Sequence, residues 1–216
     1  MSFLSSFSSW LGQESTVAQT HTVSDWFASP PVLETERLRL RRARLRDAAD
    51  IYAYASDPEV SKYVLWDTHR HLSDTRAYIR YLKSQYRDGL PSSFVIERKS
   101  DERVIGTIGF MSYDADNLLV EVGYSLAREE WNRGYMSEAL GEVMRYAFET
   151  LRIHRIEAFH DADNPASGRV MEKCGMHREG VLRGRVWNKG SYRDVVLYAR
   201  TREDYLPGAP PLRPDV

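Results

Sequence analysis

Val120-Glu121-Val122-Gly123-Tyr124-Ser125-Leu126, followed after a short link by Trp131-Asn132-Arg133-Gly134-Tyr135-Met136-Ser137-Glu138-Ala139, decides the architecture of this chain. The first run is apolar and β-branched with one interrupting carboxylate, the pattern of a strand. The second opens a helix. Met136, Ala139, Leu140, Val143, Met144, Ala147, Phe148 and Leu151 recur at helical spacing, so one face stays apolar across residues 135–151. Residues 155–160 then read as a further strand, which makes the unit a β-α-β crossover.

Working outward, residues 37–42 alternate Leu38 and Leu40 with arginines, the period of a half-exposed strand. Asp47 opens a helix to residue 55, Asp57-Pro58 starts a short helical turn, and Ser73 is the expected N-cap of a helix to residue 88. Residues 93–98 and 103–113 are strands around the polar turn Lys99-Ser100-Asp101-Glu102, and residues 118–126 complete a three-stranded meander. Beyond the crossover come a helix over 165–174, ending before Gly175, and a hairpin of 181–187 with 192–200 around Asn188-Lys189-Gly190. The expected fold is α/β (α+β): a mostly antiparallel sheet with one β-α-β crossover and helices on both faces.

A chain of 216 residues predicts one domain with extensions. Residues 1–31 form a serine-rich arm ending at Pro30-Pro31, 32–205 the globular domain, and 206–216 a proline-rich tail. The arm is expected to be partly disordered, with a short amphipathic helix through Phe3, Leu4, Phe7, Trp10 and Leu11 as the alternative. With 42% hydrophobic and 28% charged residues, the body has ordinary globular usage. Thirty basic against 31 acidic side chains leave a net charge of -1, so no global field draws the chain to nucleic acid or to a membrane, although a locally basic face stays open. Cys174 is the sole cysteine, which excludes an intramolecular disulfide and points to a reducing compartment. No apolar run reaches the length of a membrane span, and the first basic residue is Arg37, so a cytoplasmic protein is expected.

Helix N-termini present unpaired backbone amides at the positive end of the helix dipole, so the turn at Gly134 is suited to a phosphate, with Arg133 adding charge. The chain has neither a P-loop nor a G-x-G-x-x-G fingerprint. Gly123-Tyr124-Ser125-Leu126-Ala127 is close to a nucleophile elbow but lacks the immediate strand-to-helix turn that motif needs. His69, His71 and His160 match no metal-ligand spacing, so no metal is expected. Glu121 interrupts an inner strand, where burial would raise its pKa toward that of a general base; an outward-facing surface glutamate is the equal alternative.

Taken together, these residues resemble the GNAT superfamily of acyl-CoA-dependent N-acetyltransferases, in the branch similar to the RimJ and RimL ribosomal-protein N-terminal acetyltransferases. The likeness runs from Glu34 to Arg202. It is carried by Glu34-Thr35-Glu36-Arg37-Leu38-Arg39-Leu40-Arg41, Asp57-Pro58-Glu59-Val60, Val104-Ile105-Gly106-Thr107-Ile108-Gly109 and Glu121-Val122-Gly123-Tyr124. Its most specific parts are Trp131 to Leu140, Asn164-Pro165-Ala166-Ser167 through Glu172-Lys173-Cys174-Gly175-Met176, and Tyr192-Arg193-Asp194-Val195.

The resemblance implies a twisted sheet of about seven strands, in which the strand holding Tyr124 splays from the one before His160 to form the acyl-CoA cleft. It implies acetyl-CoA as cosubstrate, its pantetheine arm against the backbone of Tyr124, Ser125 and Leu126 and its pyrophosphate on amides from Arg133, Gly134, Tyr135, Met136 and Ser137. Asn164 matches the residue that hydrogen-bonds the pantetheine end, Ser167 the polar residue near the sulfur, and Glu121 the strand glutamate often assigned as base. Met136 is bulkier than the family's usual small residue, and the tyrosine many relatives use as general acid has no counterpart, which leaves Ser167 or a water. The acceptor pocket is expected from residues 54–72, with Tyr63 and Trp66, and from the hairpin, with Trp187 and Asp194. The implied activity is acetyl transfer to a primary amine, a protein N-terminus as in the RimJ and RimL enzymes; a small organic amine, or a non-catalytic acyl-CoA-binding module, are the alternatives. Cys174 at the end of its helix reads as a packing residue, so covalent catalysis is not expected, and the chain is expected to act as a monomer or homodimer.

Overall fold

The computed structural model describes residues 22–208. The arm helix expected around Phe3 to Leu11 and residues 209–216 of the tail lie outside the described residues. Eight strands form one sheet: β1 (Leu33–Glu34), β2 (Leu38–Arg41), β3 (Ser93–Arg98), β4 (Val104–Asp114), β5 (Leu119–Leu126), β6 (Arg155–Asp161), β7 (His177–Asn188) and β8 (Ser191–Thr201). Their spatial order is β1-β2-β3-β4-β5-β6-β8-β7. Every neighbouring pair is antiparallel except β5 and β6, which are parallel. The architecture is the expected one with one strand more than expected, because the two-residue β1 is too short to carry a periodic signal.

Helices cover both faces. Along β3 the pleat sends Phe94 and Ile96 into one core cluster and Val95 into the other. The first cluster is roofed by α5 (Tyr135–Arg145), whose Met136, Ala139, Leu140, Val143 and Met144 are all buried. The helical stretch expected to residue 151 continues as a wider π turn over Tyr146–Thr150, still burying Tyr146, Ala147 and Phe148. The second cluster is covered by α2 (Ala48–Ala55) and α4 (Leu72–Arg87), which present Ile51 and Tyr54, and Ile79, Leu82 and Tyr86. Between them sits α3 (Pro58–Ser61), capped by Asp57, whose carboxylate accepts the Glu59 amide at 2.9 Å.

Two local expectations are corrected. Ser73 does not cap α4; the Asp74 carboxylate folds back to accept the amides of Arg70 and His71 at 3.0 and 2.9 Å, so the helix starts earlier. The stretch assigned to the arm contributes α1 (Val23–Ala28), capped by Thr22, and Phe27 enters the core against Phe110 and Tyr113. Two further helices, α6 (Pro165–Lys173) and α7 (Arg202–Tyr205), flank the last two strands.

Candidate active site

The site arises where β5 and β6 part. Their pairing covers Leu119, Val120 and Glu121, opposite Arg155, Ile156 and Glu157, and stops there. Beyond Glu121, β5 stays paired with β4 through Leu126, while β6 stays paired with β8 through Asp161. Two cavities fill the opening. One, of about 360 Å³, lies between the start of α5 and the start of α6; the other, of about 270 Å³, lies under α4 and beside β8. Tyr63, Val64, Tyr124, Ser125, Asn164 and Ser167 line both, so the cavities meet at those side chains.

The first cavity is floored by the α5 N-terminus. Gly134 has φ +80°, a left-handed conformation that an L side chain adopts only with strain. Tyr135, Met136 and Ser137 follow in the first turn and line the cavity, while Arg133 does not and instead pairs with Glu130 at 3.3 Å. Trp131 fixes the approach, its indole N–H donating to the Leu126 carbonyl at 2.9 Å. That bond occupies a backbone acceptor that the resemblance had given to the pantetheine arm. Arg37, which periodicity could only place on a strand, is tied to this turn. Its Nη1 donates to the Arg133 carbonyl at 3.0 Å, its Nε donates to Glu138 at 2.6 Å, and its guanidinium lies 4.4 Å from the Tyr135 ring centre. Thr35 also donates to Glu138, at 2.5 Å, so the start of α5 is clamped to the segment before β2.

At the junction, Ser167 donates its hydroxyl to Tyr124 Oη at 2.9 Å, and Tyr124 donates in turn to the Ser167 carbonyl at 3.0 Å. Burial pushes the Tyr124 phenol above its usual pKa, so it remains protonated across the physiological range. Asn164 precedes Pro165 at the start of α6, yet its side chain makes no cap hydrogen bond. Neither side chain is therefore used as a cap.

The second cavity carries the carboxylate. Glu121 lines it, and its pKa is raised by burial first and by the neighbouring Glu157 charge second, with Arg185 opposing. Deeper in, Asp161 pairs with Arg193 at 2.8 Å, and His160 is buried with Nδ1 2.7 Å from the Asp161 carbonyl oxygen. Of the acceptor residues expected from sequence, Tyr63 and Trp66 line the cavity and Trp187 and Asp194 do not. Trp187 is 60% exposed and packs on Tyr192, while Asp194 accepts the Gly184 amide at 2.7 Å. Their neighbours Val186, Asn188, Arg193 and Val195 take the wall instead, because alternate residues of a strand face opposite sides.

Cys174 is held by packing: its thiol donates to the Ser137 carbonyl at 3.3 Å, and burial pushes its pKa up to about 11. Such a thiol is a poor nucleophile at neutral pH. Among the described residues, no group of three His, Cys, Asp or Glu side chains is arranged to hold a metal, and no helix is long and apolar enough to cross a membrane.

The sheet, opened at one parallel pair, thus holds a helix N-terminus on one side of the cleft and a half-buried carboxylate on the other. Residues 37–177 match the acetyltransferase (GNAT) domain model, and the chain belongs to that family and is an N-acetyltransferase. It is 35% identical to the uncharacterized N-acetyltransferase p20 of Bacillus licheniformis over 173 residues, covering 80% of this chain and 97% of that protein. It is 28% identical to the [ribosomal protein uS5]-alanine N-acetyltransferase of Escherichia coli, covering 82% and 93% respectively. The structure of Mycobacterium smegmatis RimJ in complex with CoA-disulfide has the same fold, with a TM-score of 0.74 at 24% identity over 84% of this chain and 92% of that one. The RimJ/RimL-like resemblance drawn from the motifs stands.

Proposed function

We propose that this enzyme moves an acetyl group from acetyl-CoA to the α-amine of a protein N-terminus by direct attack within one ternary complex. The observation that carries this reading is the meeting of the two cavities at Tyr124, Ser125, Asn164 and Ser167, with Glu121 on the acceptor side alone. A thioester reaching the junction from the α5 side would meet an amine arriving from the other side, with no covalent enzyme intermediate. The pyrophosphate would rest on the amides of Tyr135, Met136 and Ser137, in a turn that Arg37 braces from outside the cavity. The pantetheine arm would pair with the β5 edge of residues 122–125 that β6 leaves open.

Glu121 would take a proton from the ammonium form of the acceptor, directly or through water. A backbone N–H near Tyr124 or Ser125 would stabilise the developing oxyanion. The departing thiolate would be protonated by a water, or by the Ser167 hydroxyl once it leaves its bond to Tyr124, with solvent returning the proton to Ser167. The acceptor wall is largely aromatic and apolar, and the E. coli relative named for ribosomal-protein alanine acetylation favours a polypeptide acceptor. A comparison of kcat/KM for N-terminal peptides with that for polyamines, amino acids and aminoglycosides tests this choice. Higher values for peptides support it, and higher values for any small amine overturn it.

Two ligand-binding results follow. Acetyl-CoA should raise the melting temperature of the parent chain by mass action. In Gly134→Val most of that shift should vanish, because the branched residue resists φ +80° and so shifts the turn that presents the amides, while its Cβ meets the Arg37 guanidinium at 3.4 Å. An undiminished shift in the variant would displace the pyrophosphate from α5. Asn164→Ala should weaken acetyl-CoA binding by about 0.5 to 1.5 kcal/mol, the worth of a neutral hydrogen bond, whereas Ser167→Ala should act on turnover. Calorimetry and steady-state rates separate the two; unchanged affinity and rate in both variants would remove these residues from the site.

A further inference from the structure

The turn between β7 and β8 reaches the segment that follows α3. Lys189 Nζ donates to the carbonyls of Ser61 at 2.5 Å, Val64 at 2.9 Å and Trp66 at 3.4 Å. Beside it, the buried Asn188 donates Nδ2 to the same Val64 carbonyl at 3.3 Å. Both Lys189 (φ +48°) and Gly190 (φ +86°) are left-handed, so the turn is a tight one that holds a non-glycine residue in an unfavourable conformation. The recipient carbonyls suit this donor. The Ser61 carbonyl closes α3, where a cation is favourable, those of Val64 and Trp66 lie in the turn beyond it, and an ammonium offers a donor to each of the three.

Apart from Trp66, which packs on the second core cluster and against the His69 ring, residues 61–67 have few ties to the sheet. Among the described residues, their other hydrogen bonds remain within that segment, to the turn of α3 before it, or to Thr68 after it. Yet Tyr63 and Val64 line both cavities at once, and Trp66 closes the acceptor side.

We propose that Lys189 is a positioning residue, which pins the segment 61–66 across the junction of the donor and acceptor cavities and thereby sets the affinity for both substrates without touching the reacting atoms. This rests on the acetyl-transfer reading. Release of the segment would loosen a wall common to both cavities while leaving Glu121, Ser167 and the start of α5 in place. The expected signature is therefore a rise in both KM values at an unchanged kcat. Lost folding would do the reverse, lowering kcat through the active fraction at unchanged KM.

The test uses the full chain with Lys189→Met and Lys189→Arg. In ligand-free Lys189→Met, backbone amides of residues 61–68 should exchange with deuterium at least tenfold faster, with those of β3 unaltered. KM for acetyl-CoA and for the best peptide acceptor should each rise at least fivefold, with kcat within twofold of the parent. Lys189→Arg, which keeps several donors and the charge, should return both readouts to within twofold. A fall in kcat at constant KM, unchanged exchange, or an Arg variant no better than the Met variant would each overturn the proposal. If the parent transfers no acetyl group, the reading of function fails by itself; exchange and the affinity for coenzyme A then decide the role of Lys189.

Discussion

Glu121→Gln is expected to lower turnover by about 10² to 10⁴, the usual worth of general-base assistance, while leaving acetyl-CoA affinity unchanged. The carboxylate lines the acceptor cavity and not the donor one, so its loss acts on the amine. Its raised pKa gives the pH dependence a direction. The base works only when ionised, so the parent's kcat/KM should climb through a limb displaced upward from the ordinary glutamate value. In the Gln variant that limb should disappear, and activity should recover in part at high pH, where free amine is abundant. A stability test runs in parallel. A carboxyl whose folded pKa is raised binds more protons folded than unfolded, so its contribution is favourable below the unfolded pKa and is lost as pH rises through the folded one. Gln removes that loss, and the variant should melt higher than the parent at pH 7 but not at pH 4. Full activity at neutral pH in Glu121→Gln would assign the proton to another group or to water.

The largest effect on stability is expected at Arg41. Its guanidinium is 4% exposed and donates to Glu97 at 2.6 Å and to Asp47 at 2.8 and 2.9 Å. Both carboxylates are themselves buried, and they tie β2 to β3 and to the turn leading into α2. Breaking such a pair by removing one partner leaves buried charge uncompensated, at about 3 to 5 kcal/mol. Arg41→Met should therefore lower the urea midpoint steeply. Arg87, whose pair with Asp88 is solvent-exposed, supplies the contrast: Arg87→Ala should leave the midpoint unchanged. Equal midpoints for Arg41→Met and the parent would show that Arg39 and the Arg44 amide, which also donate to these carboxylates, hold the corner without Arg41.

The elements that sequence reveals best are those with a long periodic signal. The apolar face from Met136 to Phe148 and the strand-like runs of β3 and β4 on either side of a polar turn are set by local side-chain order, and they fix the crossover and the meander. What sequence hides is set by contacts distant along the chain. The tie from Arg37 to Glu138 spans 101 residues, so Arg37 reads only as a polar strand position. Phe27 joins the core from a serine-rich stretch whose composition resembles an arm. Trp187 and Asp194 fail for a geometric reason: Val186 and Asn188 on β7 and Arg193 and Val195 on β8 face the cavity, so the residues between them face away. One position along a strand changes the face, so a residue chosen for its chemistry alone falls on the wrong side. At the junction, by contrast, Tyr124, Asn164 and Ser167 come together as their motifs suggest, because each lies within a residue or two of the end of an element.

The most direct measurement is the release of free thiol from acetyl-CoA by the purified chain, with and without an N-terminal peptide, paired with the mass of peptide and enzyme afterwards. Thiol release that depends on peptide, matched mole for mole by acetylated peptide with the enzyme left unmodified, is the predicted result. Release without an acceptor together with an acetylated enzyme, or no release with any peptide or amine, would contradict direct transfer across the junction of the two cavities.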